Sequence, residues 1–191
     1  IVGESGSGKS TVARALCRLY DPSDGTIELD GIDVNSAEAA ASQREYARQV
    51  QMIFQDPFGS LNPTHTIRHH LRRPTKIHNP ELSAEQVEDR VIEIIERVGL
   101  SPAKQTADKF PYELSGGQRQ RVAIARALAV GAKFILADEP ISMLDVSIRL
   151  GILNLMDDMK QDGIGFMYIT HDIATARYFA ERTAVMYVGR S

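Results

Sequence analysis

Eight residues near the start of the chain, Gly3-Glu4-Ser5-Gly6-Ser7-Gly8-Lys9-Ser10, restrict the fold more than any other feature. They fit the pattern G-x-x-x-x-G-K-[ST], preceded by apolar Ile1-Val2 and followed by a helical run from Lys9 to Leu19. A glycine-rich turn wraps its N–H groups around phosphate when a strand delivers it and a helix N-terminus opens behind it, so the pattern predicts a βα unit of an α/β sheet. In that setting Lys9 reaches the β and γ oxygens and Ser10 offers a hydroxyl to Mg²⁺. From residue frequencies alone, a chance match in a chain this long is about one in a hundred.

The rest of the chain supplies the sheet this unit needs. Ile1-Val2 is shorter than an ordinary strand, so the chain is expected to begin in mid-strand, as a fragment. Asp30-Gly31, between Thr26–Leu29 and Ile32–Val34, predicts a short antiparallel element. Gln51 to Phe54 reads as a buried strand ending at Gln55. Ser83 and Gln86 form a capping box for a helix whose Val87, Val91, Ile94, Ile95 and Val98 keep one face apolar up to Gly99. A mostly helical insertion is expected over about 58–130, within a single domain whose core is formed by 1–57 and 131–191. Phe134 to Ala137 suits a parallel strand buried on both faces. Asp145 is placed to cap a helix with Ile148, Ile152, Leu155, Met156 and Met159 inward, Phe166 to Thr170 is the next strand, and Thr183 to Val188 the last.

Chemistry collects where these strands end. Open α/β sheets bind ligands at the carboxyl ends of their strands, where Asp138, Glu139 and His171 fall. Asp138 suits Mg²⁺, Glu139 suits the orientation or deprotonation of water, and His171 can hydrogen-bond a γ oxygen. A second glycine-rich segment, Leu114-Ser115-Gly116-Gly117-Gln118, opens another helix, with Ser115 and Gln118 spaced as a capping box. It offers N–H groups and a positive helix end without an anion of its own.

Composition removes other classes. A net charge of −3 and a pI near 6.0 argue against a nucleic-acid surface. Cys17 is the only cysteine, so neither an intrachain disulfide nor a cysteine-rich zinc module is available. No apolar run has the length of a membrane span. His65, His69 and His70 include an i, i+4 pair, but no nearby acid or cysteine completes a metal set. Arg68, Arg72, Arg73 and Lys76 form a basic cluster, read either as a solvated face or as a contact with a membrane subunit or lipid headgroups.

In this order, the motifs resemble the ATP-binding subunit of an ABC transporter. Gly3 to Ser10 matches Walker A, Gln55 the Q-loop, Leu114 to Gln118 the signature, Phe134 to Glu139 Walker B, Ser142 to Asp145 the D-loop, and His171 the switch histidine. Phe54 to Pro63 and Phe110 to Arg121 are similar to the oligopeptide/dipeptide importer subgroup, which includes nickel and oligosaccharide importers; Ile141 and Met143 depart from it. The resemblance implies a P-loop NTPase fold, with a RecA-like parallel sheet flanked by helices, a small antiparallel β element and an inserted helical subdomain. It implies Lys9, Glu139 and His171 as catalytic residues, with Ser10, Gln55 and Asp138 at Mg²⁺. ATP contacts are implied for Gly3, Glu4, Ser5, Gly6, Ser7, Gly8, Lys9, Ser10, Thr11, Gln55 and His171, and from a second subunit for Ser115, Gly116, Gly117, Gln118 and Asp145. The implied partners are a second ATPase subunit, identical or paralogous, transmembrane permease subunits and, indirectly, an extracytoplasmic solute-binding protein. The implied location is peripheral, on the cytoplasmic face of the cell membrane. The competing reading is a non-transport ABC ATPase of DNA repair or translation; a phosphate-loop kinase or GTPase leaves Leu114 to Gln118 unexplained.

Overall fold

The computed structural model describes residues 1–34, 43–57 and 59–187. Phe58 and Val188, which belong to expected features, lie outside these. In chain order the elements are β1 (Val2–Gly3), α1 (Lys9–Leu16), β2 (Glu28–Leu29), β3 (Ile32–Asp33), α2 (Gln43–Gln49) and β4 (Val50–Ile53). Then come α3 (Ile67–His78), α4 (Ala84–Arg97), α5 (Ala103–Asp108), a 3₁₀ turn at Pro111–Glu113, and α6 (Gly116–Val130). The chain continues through β5 (Phe134–Asp138), α7 (Val146–Gln161), β6 (Gly165–Ile169), α8 (Ile173–Phe179) and β7 (Val185–Met186).

β4, β5 and β6 form a parallel sheet in that order, while β1 pairs in parallel with β7. One parallel bridge, Val2 to Thr170, sets β1 beside the end of β6. The sheet is covered on both faces, which the unbroken apolar run of β5 requires. Ile135 and Ala137 point into the larger core with α3 to α7, whereas Leu136 joins Ala13, Tyr46 and Ile169 in a smaller one. Because all these strands run the same way, Gln55, Glu139, His171 and the glycine loop leave the sheet along one edge.

Between residues 59 and 130 the described elements are helical, and α3, α4, α5 and α6 pack against one another. Their core is continuous with that of the sheet: Ile67, Leu71, Val91 and Ile95 belong to the same cluster as Ile53 and Ile135. The antiparallel pair is β2 with β3, turning at Asp30-Gly31 with φ of 54° and 77°. Among the described residues no helix is long and apolar enough to cross a membrane.

The structure departs from expectation at four places. The first helix stops at Leu16 rather than Leu19, because Arg18 adopts a left-handed φ of 55° and Leu19 N–H returns to the Arg14 carbonyl, a helix-ending motif usually built on glycine. α2 was not anticipated; its sequence is polar, with Tyr46 its buried side chain, and the phenol donates to the Leu16 carbonyl. The last strand starts at Val185 rather than Thr183 and is described over Val185–Met186, its expected end at Val188 lying outside the described residues. Asp145 stands at the N-cap of α7, yet its side chain makes no capping bond.

Candidate active site

The glycine loop is held against the sheet so closely that a Cβ on Gly3 would lie 2.3 Å from the Met186 carbonyl oxygen, so no larger residue fits there. Gly8 precedes α1 with a φ of 96°, offers no side-chain cap, and is followed by a first turn without an acid. The N–H groups and positive end of α1 are thereby left to an anion. Lys9 is 6% exposed, and its Nζ donates to the carbonyls of Gly3 at 2.8 Å and Glu4 at 2.7 Å and to Ser7 Oγ at 3.3 Å. A buried ammonium without such partners would be expensive; these bonds fix it over the loop.

The acids enter from β5. Ser10 Oγ donates to Asp138 Oδ1 at 3.0 Å, joining the start of α1 to the end of the strand. Glu139 takes a left-handed φ of 46°, which costs a non-glycine residue about 1 kcal/mol. That turn breaks the alternation of the strand, and the Glu139 carboxylate meets two partners from other strand ends. Gln55 Nε2 donates to Glu139 Oε2 at 3.2 Å, and His171 Nδ1 lies 3.1 Å from Oε1. Lys9, Ser10, Gln55, Glu139 and His171 line one cavity with Ser5, Gly6, Gly8 and Thr11, about 590 Å³ in volume. Cationic, hydroxyl and carboxylate groups therefore converge in a space large enough for a polyphosphate.

The second glycine segment is built as expected but stands elsewhere. Ser115 Oγ accepts from Gln118 N–H at 3.3 Å and Gln118 Oε1 from Ser115 N–H at 3.0 Å, which completes the capping box of α6. Ser115 is exposed, and Ser115 to Gln118 do not line the cavity. Gly117 packs instead on α7, where a Cβ would come within 2.6 Å of Ile148 Cγ2. Asp145 is also outside the cavity lining.

Two arginines make positioning contacts that the sequence does not foretell. Arg149 Nε donates to the Leu144 carbonyl at 2.9 Å, holding the turn that follows Glu139. Arg126 Nη1 donates to the Ser60 carbonyl at 2.6 Å, tying α6 to the segment after Gln55. Both act on backbone carbonyls, which carry no sequence signature. The metal expectation fits the donors present: the Ser10 hydroxyl and the Asp138 carboxylate are hard oxygens side by side, and Mg²⁺ takes one or two such ligands together with substrate phosphates.

Among known proteins, the chain is 44% identical over 191 residues to the oligopeptide transport ATP-binding protein OppF of Bacillus subtilis, matching 100% of this chain and 62% of that protein. It is 45% identical over 191 residues to the glutathione import ATP-binding protein GsiA of Pectobacterium atrosepticum, matching 100% of this chain and 30% of that one. The chain thus spans less than two thirds of the length of these relatives. Its structure superposes on the dimeric ATP-binding cassette MJ0796, solved in a post-hydrolysis state bound to ADP and Pi, with a TM-score of 0.85 and 34% identity, over 98% of this chain and 80% of that one. A second likeness is to cbiO1 of Clostridium perfringens, part of the complex cbiONQ, with a TM-score of 0.84 and 29% identity over 99% of this chain and 72% of that one. The architecture is that of a P-loop NTPase cassette, and, with the family model described as ABC transporter matching residues 1–142, the chain belongs to the ABC transporter family.

Proposed function

We propose that this chain binds ATP with Mg²⁺ and hydrolyses it as the nucleotide-binding part of an importer for oligopeptides, dipeptides or similar solutes such as nickel or oligosaccharides. The observation that carries the reading is the Glu139 carboxylate, set between Gln55 and His171 in the cavity shared with the glycine loop. The names of the relatives, oligopeptide transport and glutathione import, support the solute class.

In this reading the loop N–H groups from Gly3 to Ser10 and the start of α1 hold the phosphates, and Lys9 neutralises the β and γ oxygens. Ser10, Asp138 and Gln55 would hold Mg²⁺, which would draw charge from those oxygens when bound. Glu139 accepts a proton from water as the water oxygen attacks the γ-phosphorus, and the bond from that phosphorus to the β–γ bridging oxygen breaks with its electron pair leaving on ADP. His171 donates to the γ-phosphate and keeps Glu139 aimed.

Ser115 to Gln118 and Asp145 are assigned to the cavity of a second subunit, identical or paralogous. The exposure of Ser115 and Asp145, and the position of the whole set outside this chain's own cavity, support that assignment. ATP-driven dimerisation would then move transmembrane permease subunits, with a solute-binding protein acting through them and this chain peripheral on the cytoplasmic face. Residues 58–130 act as the helical subdomain of the cassette. Glu139→Gln tests the chemistry: ATP binding should persist while hydrolysis falls by at least about a hundred-fold. Hydrolysis at the parental rate refutes Glu139 as the base.

A further inference from the structure

A segment of one charge sign lies outside the candidate active site. Between Asp56 and Glu81 the sequence has no acid, yet it holds Arg68, Arg72, Arg73, Lys76 and four of the five histidines, in a chain whose net charge is −3. α3 runs through this segment with Ile67, Leu71 and Thr75 buried. The helical period then brings His69, Arg72, Arg73 and Lys76 to the opposite face. Arg68 is neutralised by Glu88 and Asp108. Arg72, Arg73 and Lys76 are exposed and meet no acid among the described residues. Ile77, next along the helix, is 43% exposed. Arg44 of α2 reaches the same region, with Arg48 beside it paired to Glu45 at 3.9 Å; after burial, the charges of Arg48 and Arg44 hold the His78 imidazole at the end of α3 below its usual range, against the opposing effect of Glu45.

We propose that this face, formed by Arg72, Arg73, Lys76 and Ile77 with Arg44 alongside, docks on an anionic lipid surface. The charge is complementary, and guanidinium groups bind phosphate oxygens through paired N–H donors. The shape favours a broad partner over a narrow one. Arg72, Arg73 and Lys76 stand exposed along one face of α3 and line neither the 590 Å³ cavity nor the groove between α2 and α6. Ile77 supplies an apolar side chain at the edge of the basic face, where it can enter the headgroup boundary. The inference extends the peripheral placement proposed above, but its test uses no nucleotide, so either can fail alone.

The test is co-sedimentation of the chain with vesicles of phosphatidylcholine alone, and of phosphatidylcholine mixed with phosphatidylglycerol. Binding should require phosphatidylglycerol and vanish in 1 M salt, where screening shortens to about 3 Å. Arg72→Glu/Arg73→Glu/Lys76→Glu should weaken it by at least about a hundred-fold, since each basic group near an anionic surface contributes roughly a factor of five. Lys133→Glu/Arg177→Glu/Arg182→Glu, with the same charge change on other elements, should retain most of the binding. If the first triple variant fails to fold, the triple change to Gln reads the same contact. Equal loss in both triple variants, or binding indifferent to phosphatidylglycerol, overturns the proposal. So does salt-sensitive capture on polyglutamate without binding to either vesicle, which would point to an acidic protein.

Discussion

Replacing Gly117 by alanine tests whether close packing sets the orientation of the signature helix. Gly117 is buried in the first turn of α6, and an added Cβ would lie 2.6 Å from Ile148 Cγ2, 3.4 Å from Cδ1 and 3.8 Å from Cβ. Carbon atoms rest at about 3.5–4.0 Å, so α6 and α7 must separate by close to 1 Å or Ile148 must leave its rotamer. Overpacking of this kind costs about 1–3 kcal/mol, partly offset by a helix-propensity gain of up to about 1 kcal/mol. A net loss of roughly 1–2 kcal/mol lowers the melting temperature of a chain this size by about 2–8 °C. Ile148→Ala removes the clashing Cγ2 methyl and leaves the Cβ at ordinary contact distance. In that background Gly117→Ala should be neutral or slightly stabilising. Urea unfolding of the two single variants and the double variant gives the coupling directly. Additive effects would refute the packing argument, because the predicted cost arises from one pair of side chains.

The remaining expectations follow from the site and from one buried thiol. Lys9→Ala should weaken ATP binding by at least about ten-fold, from the loss of a charge-assisted bond; titration with a fluorescent ATP analogue measures it, and unchanged affinity contradicts the role given to Lys9. Ser115→Arg should abolish ATP-dependent dimerisation in sedimentation velocity while this chain's own loop still binds nucleotide; an intact dimer would remove Ser115 to Gln118 from the shared site. Burial raises the Cys17 thiol to about 11 from 9.0. Iodoacetamide at pH 8 should therefore label the folded protein about a hundred times more slowly than the urea-unfolded chain, since the thiolate is the reacting form; equal rates would show that the thiol is not shielded.

Local features of the fold were legible because their causes are local. Gly8 and Lys9 needed only their neighbours, and the Ser83–Gln86 and Ser115–Gln118 capping boxes are written in four residues each. Convergence of Gln55, Glu139 and His171 was legible for a different reason: parallel strands end on one edge, so residues far apart in sequence share it. Unread elements depended on partners that composition does not mark. α2 is organised by Tyr46 reaching the end of α1, and Arg126 and Arg149 grip carbonyls 66 and 5 residues away. The early end of α1 turned on Arg18 accepting a conformation that its type rarely adopts.

The position of β1 in the sheet also bears on how the protein is made. Val2 pairs with Val185, Gly3 with Met186, and the Thr170 N–H donates to the Ile1 carbonyl at 3.1 Å. The described strand partners of β1, Thr170, Val185 and Met186, are therefore translated 168 to 183 residues after it. During synthesis β4 and β5 can assemble early, but β1 has no partner until the end of β6 emerges and is not paired along its length until β7 follows. Contacts this distant in sequence also form slowly. A nascent chain stalled before residue 170 should consequently protect its helices from protease while leaving Lys9 and the loop around it open to cleavage.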